Sequence, residues 1–237
     1  MSAAIVTGAA GAIGRAIALK LSASRPVICV DMSDDVDRTC GEIISYGGTA
    51  ARCVVDLTAD EAPVLISELA GRVGGASILV NNAGITRDAR ATRMSGESFR
   101  AVLRVNAVAP LRLAEELAPR LEDGGSIVNV SSRAALGNFG QANYVAAKSA
   151  LLGATRAFAV RWAPRLRVNS VAPGLVRTPM TEAMPTEVLD KLIDRIPAGR
   201  AAEPEDIAEA VEFLAGEKAS YVTGQMLLVC GGRSVAG

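Results

Sequence analysis

Short apolar runs alternate with longer helical patterns along the whole chain, and this alternation constrains the fold more than any other feature. The runs are 4–7, 27–31, 51–56, 78–81, 126–130, 166–171 and 225–229. Between them lie patterns of helical period at 13–24, 34–46, 59–73, 96–121, 141–163 and 204–215. Strands that are almost continuously apolar must be buried on both faces, which means a parallel sheet covered by helices. Seven of them predict a Rossmann-type, doubly wound parallel sheet in a three-layer α/β/α arrangement. No repeat, low-complexity tract or linker divides the chain, so residues 1–237 are expected to form one domain. The stretch 174–203 is the one long connection of weak regularity; it carries Pro179, Pro185 and Pro197 and follows Pro173. Connections of that length often serve as lids, and a substrate lid is expected at about 175–203.

Composition removes several alternatives. There are 25 basic and 25 acidic side chains, so no nucleic-acid groove or polybasic membrane surface is indicated. No histidine is present. That excludes Ser-His-Asp and Cys-His nucleophile schemes, removes the commonest metal ligand, and leaves no metal site to be expected. An acid/base group at neutral pH must then be a perturbed carboxylate, Cys, Lys or Tyr. Cys29, Cys40, Cys53 and Cys230 form no CxxC pair and read as small buried hydrophobes. No run of 18 apolar residues and no signal-type leader is seen, and the chain is expected to be cytoplasmic and free of membrane.

In doubly wound sheets, ligands bind beyond the carboxyl ends of the strands. The first strand runs into Thr7-Gly8-Ala9-Ala10-Gly11-Ala12-Ile13-Gly14, and a helix follows. Glycines there let backbone approach a pyrophosphate, and the helix N-terminus offers free N–H groups. A tight turn alone would use the same residues. The second strand ends at Asp31, 17 residues after Gly14. A carboxylate there can accept both hydroxyls of an adenosine ribose and repel a 2′-phosphate; capping the next helix is its other reading, with Asp34 as competitor. No Arg or Lys precedes Arg15 in the turn, so NAD(H) is preferred over NADP(H). The third strand ends at Asp56-Leu57, and the fourth at Asn81-Asn82-Ala83-Gly84 with small side chains suited to a ribose floor.

Tyr144 and Lys148 lie four apart in a helical pattern and so share one face. A phenol titrates near ~10, too high for a base at neutral pH, and a neighbouring ammonium favours the phenolate. Tyr144 can thus act as the proton donor and acceptor that histidine cannot provide here.

Taken together, these residues resemble the short-chain dehydrogenase/reductase family over essentially the whole chain. The resemblance rests on the glycine turn, Asp31, Asn81–Gly84, Asn106, the strand at 127–132, Tyr144/Lys148 and Pro173-Gly174-Leu175-Val176-Arg177-Thr178. Stretches 81–88, 137–148 and 221–225 look closer still to 3-oxoacyl-thioester reductases acting on acyl-carrier-protein or CoA substrates. The resemblance implies Tyr144 as general acid in reduction and base in oxidation. It implies Lys148 as the residue that tunes Tyr144 and binds the nicotinamide ribose. A serine at the end of the fifth strand would hold the substrate oxygen, Asn106 a proton-relay water, and Val176 and Thr178 the nicotinamide carboxamide. Pro110 has no N–H to offer the Asn106 carbonyl, which either leaves that carbonyl free for the water or merely kinks a long helix.

Three positions depart from the family pattern. Ala12 stands where a glycine is usual and places a methyl near the pyrophosphate path. Counting back from the tyrosine gives Ser131 as the active serine, whereas anchoring on the strand gives Ser132, which is preferred. Cys230 stands where relatives often carry Asn or Asp. The expected reaction interconverts a 3-oxoacyl and a 3-hydroxyacyl thioester; an NAD-dependent dehydrogenase of a small secondary, cyclic or diol alcohol is the alternative, and a catalytically silent cofactor sensor is a third class. Lid residues Met180, Met184, Leu189, Leu192 and Ile196 would pack either on an acyl chain or on one another. Arg87, Arg90 and Arg93 form either a solvated loop or a receptor for a carrier phosphate. Long helices at 96–121 and 141–163 imply a homotetramer by resemblance, or a dimer.

Overall fold

The computed structural model describes residues 2–236. Seven strands form one parallel sheet: β1 (Ala3–Thr7), β2 (Val27–Asp31), β3 (Ala50–Val54), β4 (Ala76–Asn81), β5 (Ser126–Val130), β6 (Arg167–Pro173) and β7 (Met226–Val229). Their order is β3-β2-β1-β4-β5-β6-β7, with every pairing parallel. The order reverses direction between β1 and β4, which opens a crevice at their carboxyl ends.

The helices are α1 (Ala12–Ser22), α2 (Val36–Ser45), α3 (Ala62–Arg72), α4 (Gly96–Leu103), α5 (Ala109–Leu117), α6 (Ala142–Trp162), α7 (Pro179–Glu182), α8 (Thr186–Ile193) and α9 (Pro204–Ala215). Strand side chains alternate between two cores. Ala4 and Val6 join Ile17, Ile43, Ile207 and Val211 beneath α1, α2 and α9. Ala3 and Ile5 join Ile66, Leu113, Leu117 and Phe158 beneath α3, α5 and α6. Both faces of the sheet are therefore sealed by aliphatic side chains, as the continuous apolar runs require.

Two sequence expectations need correction. The single long helix at 96–121 is broken: α4 passes into a π-helical turn, Arg104–Val108, and then into α5, with a 3-10 turn at Ala118–Arg120. The cause lies in the two prolines, Pro110 and Pro119, which remove N–H donors from the ladder. In the π turn the Ala109 N–H bonds to the Arg104 carbonyl, one residue further back than in an α-helix. The connection 174–203 is also more regular than its sequence implies, since it holds α7 and α8. Pro179 starts α7, and the Thr178 and Thr181 side chains cap it reciprocally.

A polar thread crosses the apolar core. Asn81 Nδ2 donates to Asn129 Oδ1 at 2.9 Å, and Asn129 Nδ2 donates to Thr155 Oγ1 at 2.9 Å. Asn81 and Asn129 are register partners on β4 and β5, and Thr155 is buried on α6. The thread ties the sheet to the helix that carries Tyr144 and Lys148.

Candidate active site

The glycine turn is shaped by contacts that side chains would prevent. Gly8 adopts φ +68, and a Cβ on Gly14 would stand 2.0 Å from the Gly8 carbonyl oxygen. Gly14→Ala is expected to cost about 1–3 kcal/mol of stability and to weaken cofactor binding, because the carbonyl must move. Denaturant unfolding with and without cofactor checks this; an unchanged midpoint would remove the steric argument. Gly11 is under no such pressure: a Cβ there meets only the Gly8 oxygen, at 3.5 Å. It precedes α1, whose first residues are Ala12 and Ile13, so these open the helix towards the turn.

The floor of the crevice is the β4 end. Thr7 Oγ1 accepts the N–H groups of Asn82 and Ala83 at 3.0 and 3.1 Å. Asn82 Nδ2 donates to the Thr7 and Gly8 carbonyls at 2.9 and 3.3 Å. The Asn82 side chain thus binds the glycine turn to the strand beside it. At the β2 end, Asp31 Oδ2 accepts the Ala10 N–H at 3.0 Å and Oδ1 accepts the Ser33 N–H at 3.1 Å. Its carboxylate fixes the glycine turn and faces the same space.

A cavity of about 580 Å³ occupies that space. Gly8, Gly11, Ala12, Ile13, Gly14, Asp31, Asp56, Leu57, Asn82, Ala83, Gly84 and Thr178 all line it. It suits a dinucleotide: a glycine cradle without Cβ atoms, a carboxylate at one end and small residues along the floor. Sequence reasoning passed over Met32 and Val55, which also line it and whose apolar side chains carry no motif signal; Ile85 and the lid residue Met180 line it too.

A second cavity, of about 260 Å³, adjoins it and contains Ser131, Ser132, Tyr144, Lys148, Pro173, Gly174, Val176 and Thr178. Ile13, Asn82, Gly84, Ile85, Thr178 and Met180 line both, so the two form one groove. The two serines differ in their surroundings. Ser131 Oγ donates to the Lys148 carbonyl at 2.9 Å and is buried against α6. Ser132, one residue on, accepts the Ala134 N–H at 3.1 Å and lines the same cavity as Tyr144. Burial pushes the Tyr144 phenol above its ordinary value; the Ser132 hydroxyl pulls it down, and the Asp88 carboxylate pushes it up again.

Lys148 is buried, and its Nζ donates to the Val130 carbonyl at 2.8 Å. The ammonium lies 5.6 Å from the centre of the Tyr144 ring. Burial lowers its pKa to about 8. Asn106 lies behind this pair, on the π turn. Its Oδ1 accepts the Ile85 N–H and its Nδ2 donates to the Ile85 carbonyl, both at 2.8 Å. The side chain therefore clamps the loop after β4, which forms one wall of the groove.

The remaining expectations fall as follows. Arg87, Arg90 and Arg93 are exposed and line neither cavity. Arg87 lies 3.9 Å from Glu97. Met180 reaches both cavities; Ile196 is buried, and Met184, Leu189 and Leu192 are half-buried outside the cavity linings. Cys230 backs the second cavity: a Cβ on Gly174, which lines it, would stand 2.8 Å from the Cys230 Cα. All four cysteines are free. Among the described residues no cluster of metal-ligating side chains occurs, and no helix is long and apolar enough to cross a membrane.

Comparison with known proteins agrees with this geometry. A family model described as enoyl-(acyl carrier protein) reductase matches residues 8–234. The 3-oxoacyl-(acyl-carrier-protein) reductase FabG of Thermotoga maritima is 39% identical over 235 residues, covering 96% of each chain. The structure of a dehydrogenase/reductase from Sinorhizobium meliloti is similar at a TM-score of 0.93 and 33% identity, covering 98% of this chain and 94% of that one. A Beutenbergia cavernae structure, provisionally named an NAD(P)-dependent gluconate 5-dehydrogenase and holding NADP at low occupancy, matches at a TM-score of 0.89 and 39% identity, covering 98% and 96%. With its seven-stranded parallel sheet and its matches at this identity and coverage, the chain belongs to the short-chain dehydrogenase/reductase family of nicotinamide-dependent oxidoreductases.

Proposed function

We propose that the chain interconverts a ketone and a secondary alcohol with NAD(H), the pair being a 3-oxoacyl and a 3-hydroxyacyl thioester carried on acyl-carrier protein or CoA. The observation that carries this reading is that Ser132, Tyr144 and a buried Lys148 share one cavity, with the ammonium 5.6 Å from the phenol ring, and that this cavity is continuous with the glycine cradle. A reduced nicotinamide held in the glycine cradle would supply hydride to the carbonyl carbon. Ser132 holds the carbonyl oxygen by donating a hydrogen bond, and Tyr144 gives that oxygen its proton; in oxidation Tyr144 takes it back. Lys148 restores charge balance beneath the phenol and binds the ribose hydroxyls. With the Asn106 side chain occupied by Ile85, its main-chain carbonyl is the group left to hold a relay water, since Pro110 offers it no N–H. Pro173, Gly174, Val176 and Thr178 border the nicotinamide end. In this reading residues 1–237 are one catalytic domain, 175–203 its lid, and the working form a homotetramer or a dimer.

The thioester class draws on the FabG relatives, named as 3-oxoacyl-(acyl-carrier-protein) reductases. The alternative, an NAD-dependent dehydrogenase of a small secondary, cyclic or diol alcohol, is supported by the neighbour named as a gluconate 5-dehydrogenase. Absorbance of the reduced cofactor with acetoacetyl-CoA, compared with NAD and a panel of secondary alcohols, separates the two.

The preference for NAD(H) rests on Asp31. Nearby cations are already engaged: Arg15 pairs with Glu42, and Arg52 with Asp34 and Asp37. A 2′-phosphate would meet a carboxylate and no free guanidinium on these residues. Asp31→Asn keeps the acceptor oxygen but removes the charge, and is expected to raise the NADPH/NADH ratio of kcat/KM about tenfold, one unit of charge repulsion in a half-buried site. Wild-type turnover with NADPH alone would overturn the preference.

A further inference from the structure

The second cavity takes its lining from separate stretches beyond the sheet. Ile85 and Thr86 belong to the loop after β4, and Tyr144 and Lys148 belong to α6. No strand of the sheet fixes one to the other, because β4 ends at Asn81 and α6 begins at Ala142. One buried side chain joins them. Asn143 is 0% exposed and precedes Tyr144 on α6. Its Nδ2 donates to the Arg87 carbonyl at 2.9 Å, one residue beyond Thr86, and its Oδ1 accepts the Tyr144 N–H at 2.8 Å. The two bonds fix the orientation of the amide, since only its oxygen can accept and only its nitrogen can donate.

The Tyr144 N–H needs that partner. It lies in the first turn of α6, where N–H groups find no carbonyl within the helix; the ladder starts with the Val145 N–H on the Gln141 carbonyl, at 2.8 Å. Gln141 stands at the N-cap but gives no side-chain cap. Its Nε2 donates instead to both Asp88 carboxylate oxygens, at 3.0 and 2.9 Å, and the Ala89 N–H donates to the Gly140 carbonyl at 2.9 Å. With Asn106 clamping Ile85 from the π turn, residues 85–89 are held at both ends. The Gln141–Asp88 tie is exposed, where water can take over its bonds. The Asn143 tie starts from a fully buried side chain, and its loss strands both the Tyr144 N–H and the Arg87 carbonyl.

We propose that Asn143 is a positioning residue: its amide sets the distance between the Tyr144 hydroxyl and the wall formed by Ile85 and Thr86, so that the phenol meets the ketone oxygen of a substrate lying against that wall. The inference rests on the reading of Tyr144 as proton donor. It adds a residue that lines neither cavity and acts only through its neighbours.

The test compares N143A with S126A, in wild-type and Y144F backgrounds. Ser126 also loses a buried bond, from its hydroxyl to the Leu214 carbonyl at 3.3 Å, but it begins β5 and lines neither cavity. With acetoacetyl-CoA and NADH, N143A is expected to lower kcat about tenfold and to leave the Kd for NADH unchanged, while S126A matches wild type in both. Added to Y144F, N143A should cost no more than about twofold of the residual rate, since no hydroxyl is left to aim. An unchanged kcat in N143A, a fall matched by S126A, a comparable loss of NADH binding, or a tenfold fall in both backgrounds would each overturn the proposal. If N143A does not fold, N143S replaces it, its side chain being too short to reach the Arg87 carbonyl, with the same outcomes. If wild type does not turn over acetoacetyl-CoA, the reaction class above fails independently. The positioning role is then judged by amide hydrogen exchange of the enzyme–NADH complex. Faster exchange at 85–89 and at Tyr144 in N143A but not in S126A supports it; exchange equal to wild type overturns it.

Discussion

Tyr144→Phe is expected to lower turnover by about three orders of magnitude while reduced cofactor still binds. The aromatic ring stays, so its packing on Val102 and Ala107 and its place beside the Lys148 ammonium are kept, and only the hydroxyl is removed. Burial holds this phenol protonated through the neutral range, the form needed to protonate a ketone oxygen. Reduction by the wild type should therefore run level across neutral pH and fall on the alkaline side, and that alkaline limb should vanish in the variant's residual rate. Ser132→Ala should cost about a hundredfold, by loss of one donor to the developing oxyanion. Ser131→Ala should leave kcat near wild type, because its hydroxyl is spent on the Lys148 carbonyl. A Ser131 variant as slow as the Ser132 variant would reverse the assignment.

Lys148→Met should abolish most of the activity, by at least about a hundredfold, without destabilising the protein at neutral pH. The ammonium is buried, with one carbonyl acceptor, Val130. Its folded pKa, about 8, lies below the ordinary lysine value of 10.5. Between those values the unfolded chain binds more protons than the folded one, so the lysine makes stability rise with pH across that window. Below pH ~8 the whole burial penalty stands, on the order of 3 kcal/mol at one pKa unit per 1.36 kcal/mol. Methionine removes the charge but leaves the Val130 carbonyl without its donor, at about 1–3 kcal/mol. The two nearly offset each other at pH 7. Above pH ~10 only the lost bond remains, and there the variant should be the less stable protein. Denaturant midpoints of both proteins at pH 7 and 10 check this. A wild type that loses stability relative to the variant on going alkaline would contradict it.

The sheet was legible in the sequence because each buried strand is an apolar run with few polar interruptions, and β1, β2 and β5 fall within a residue of expectation. The glycine turn and the Tyr144/Lys148 pair were legible because their chemistry is local: close backbone approach at Gly14, one helix face at 144 and 148. The serine was not decidable from spacing alone, since neighbouring residues leaving a strand point to opposite sides. Only the tertiary structure shows Ser131 spending its hydroxyl on the Lys148 carbonyl while Ser132 shares a cavity with Tyr144. The π turn at Arg104–Val108 escaped periodicity, because one extra residue in a turn barely disturbs an apolar pattern.

The amide thread from Asn81 through Asn129 to Thr155 has a consequence for how such a protein can diversify. Thr155, Lys148 and Tyr144 follow one another at intervals of seven and four along α6, on one face of that helix. The rotation of the helix, and with it the aim of the reacting hydroxyl, is set deep in the core by bonds that no pocket loop shares. The segment at 133–140, which follows the cavity residue Ser132, and the stretch at 176–181, which lines the cavities, can then change length and charge while the tyrosine keeps its bearing. Chemistry and appetite are anchored in different places, so selection can retune which ketone is accepted without rebuilding the means of reducing it.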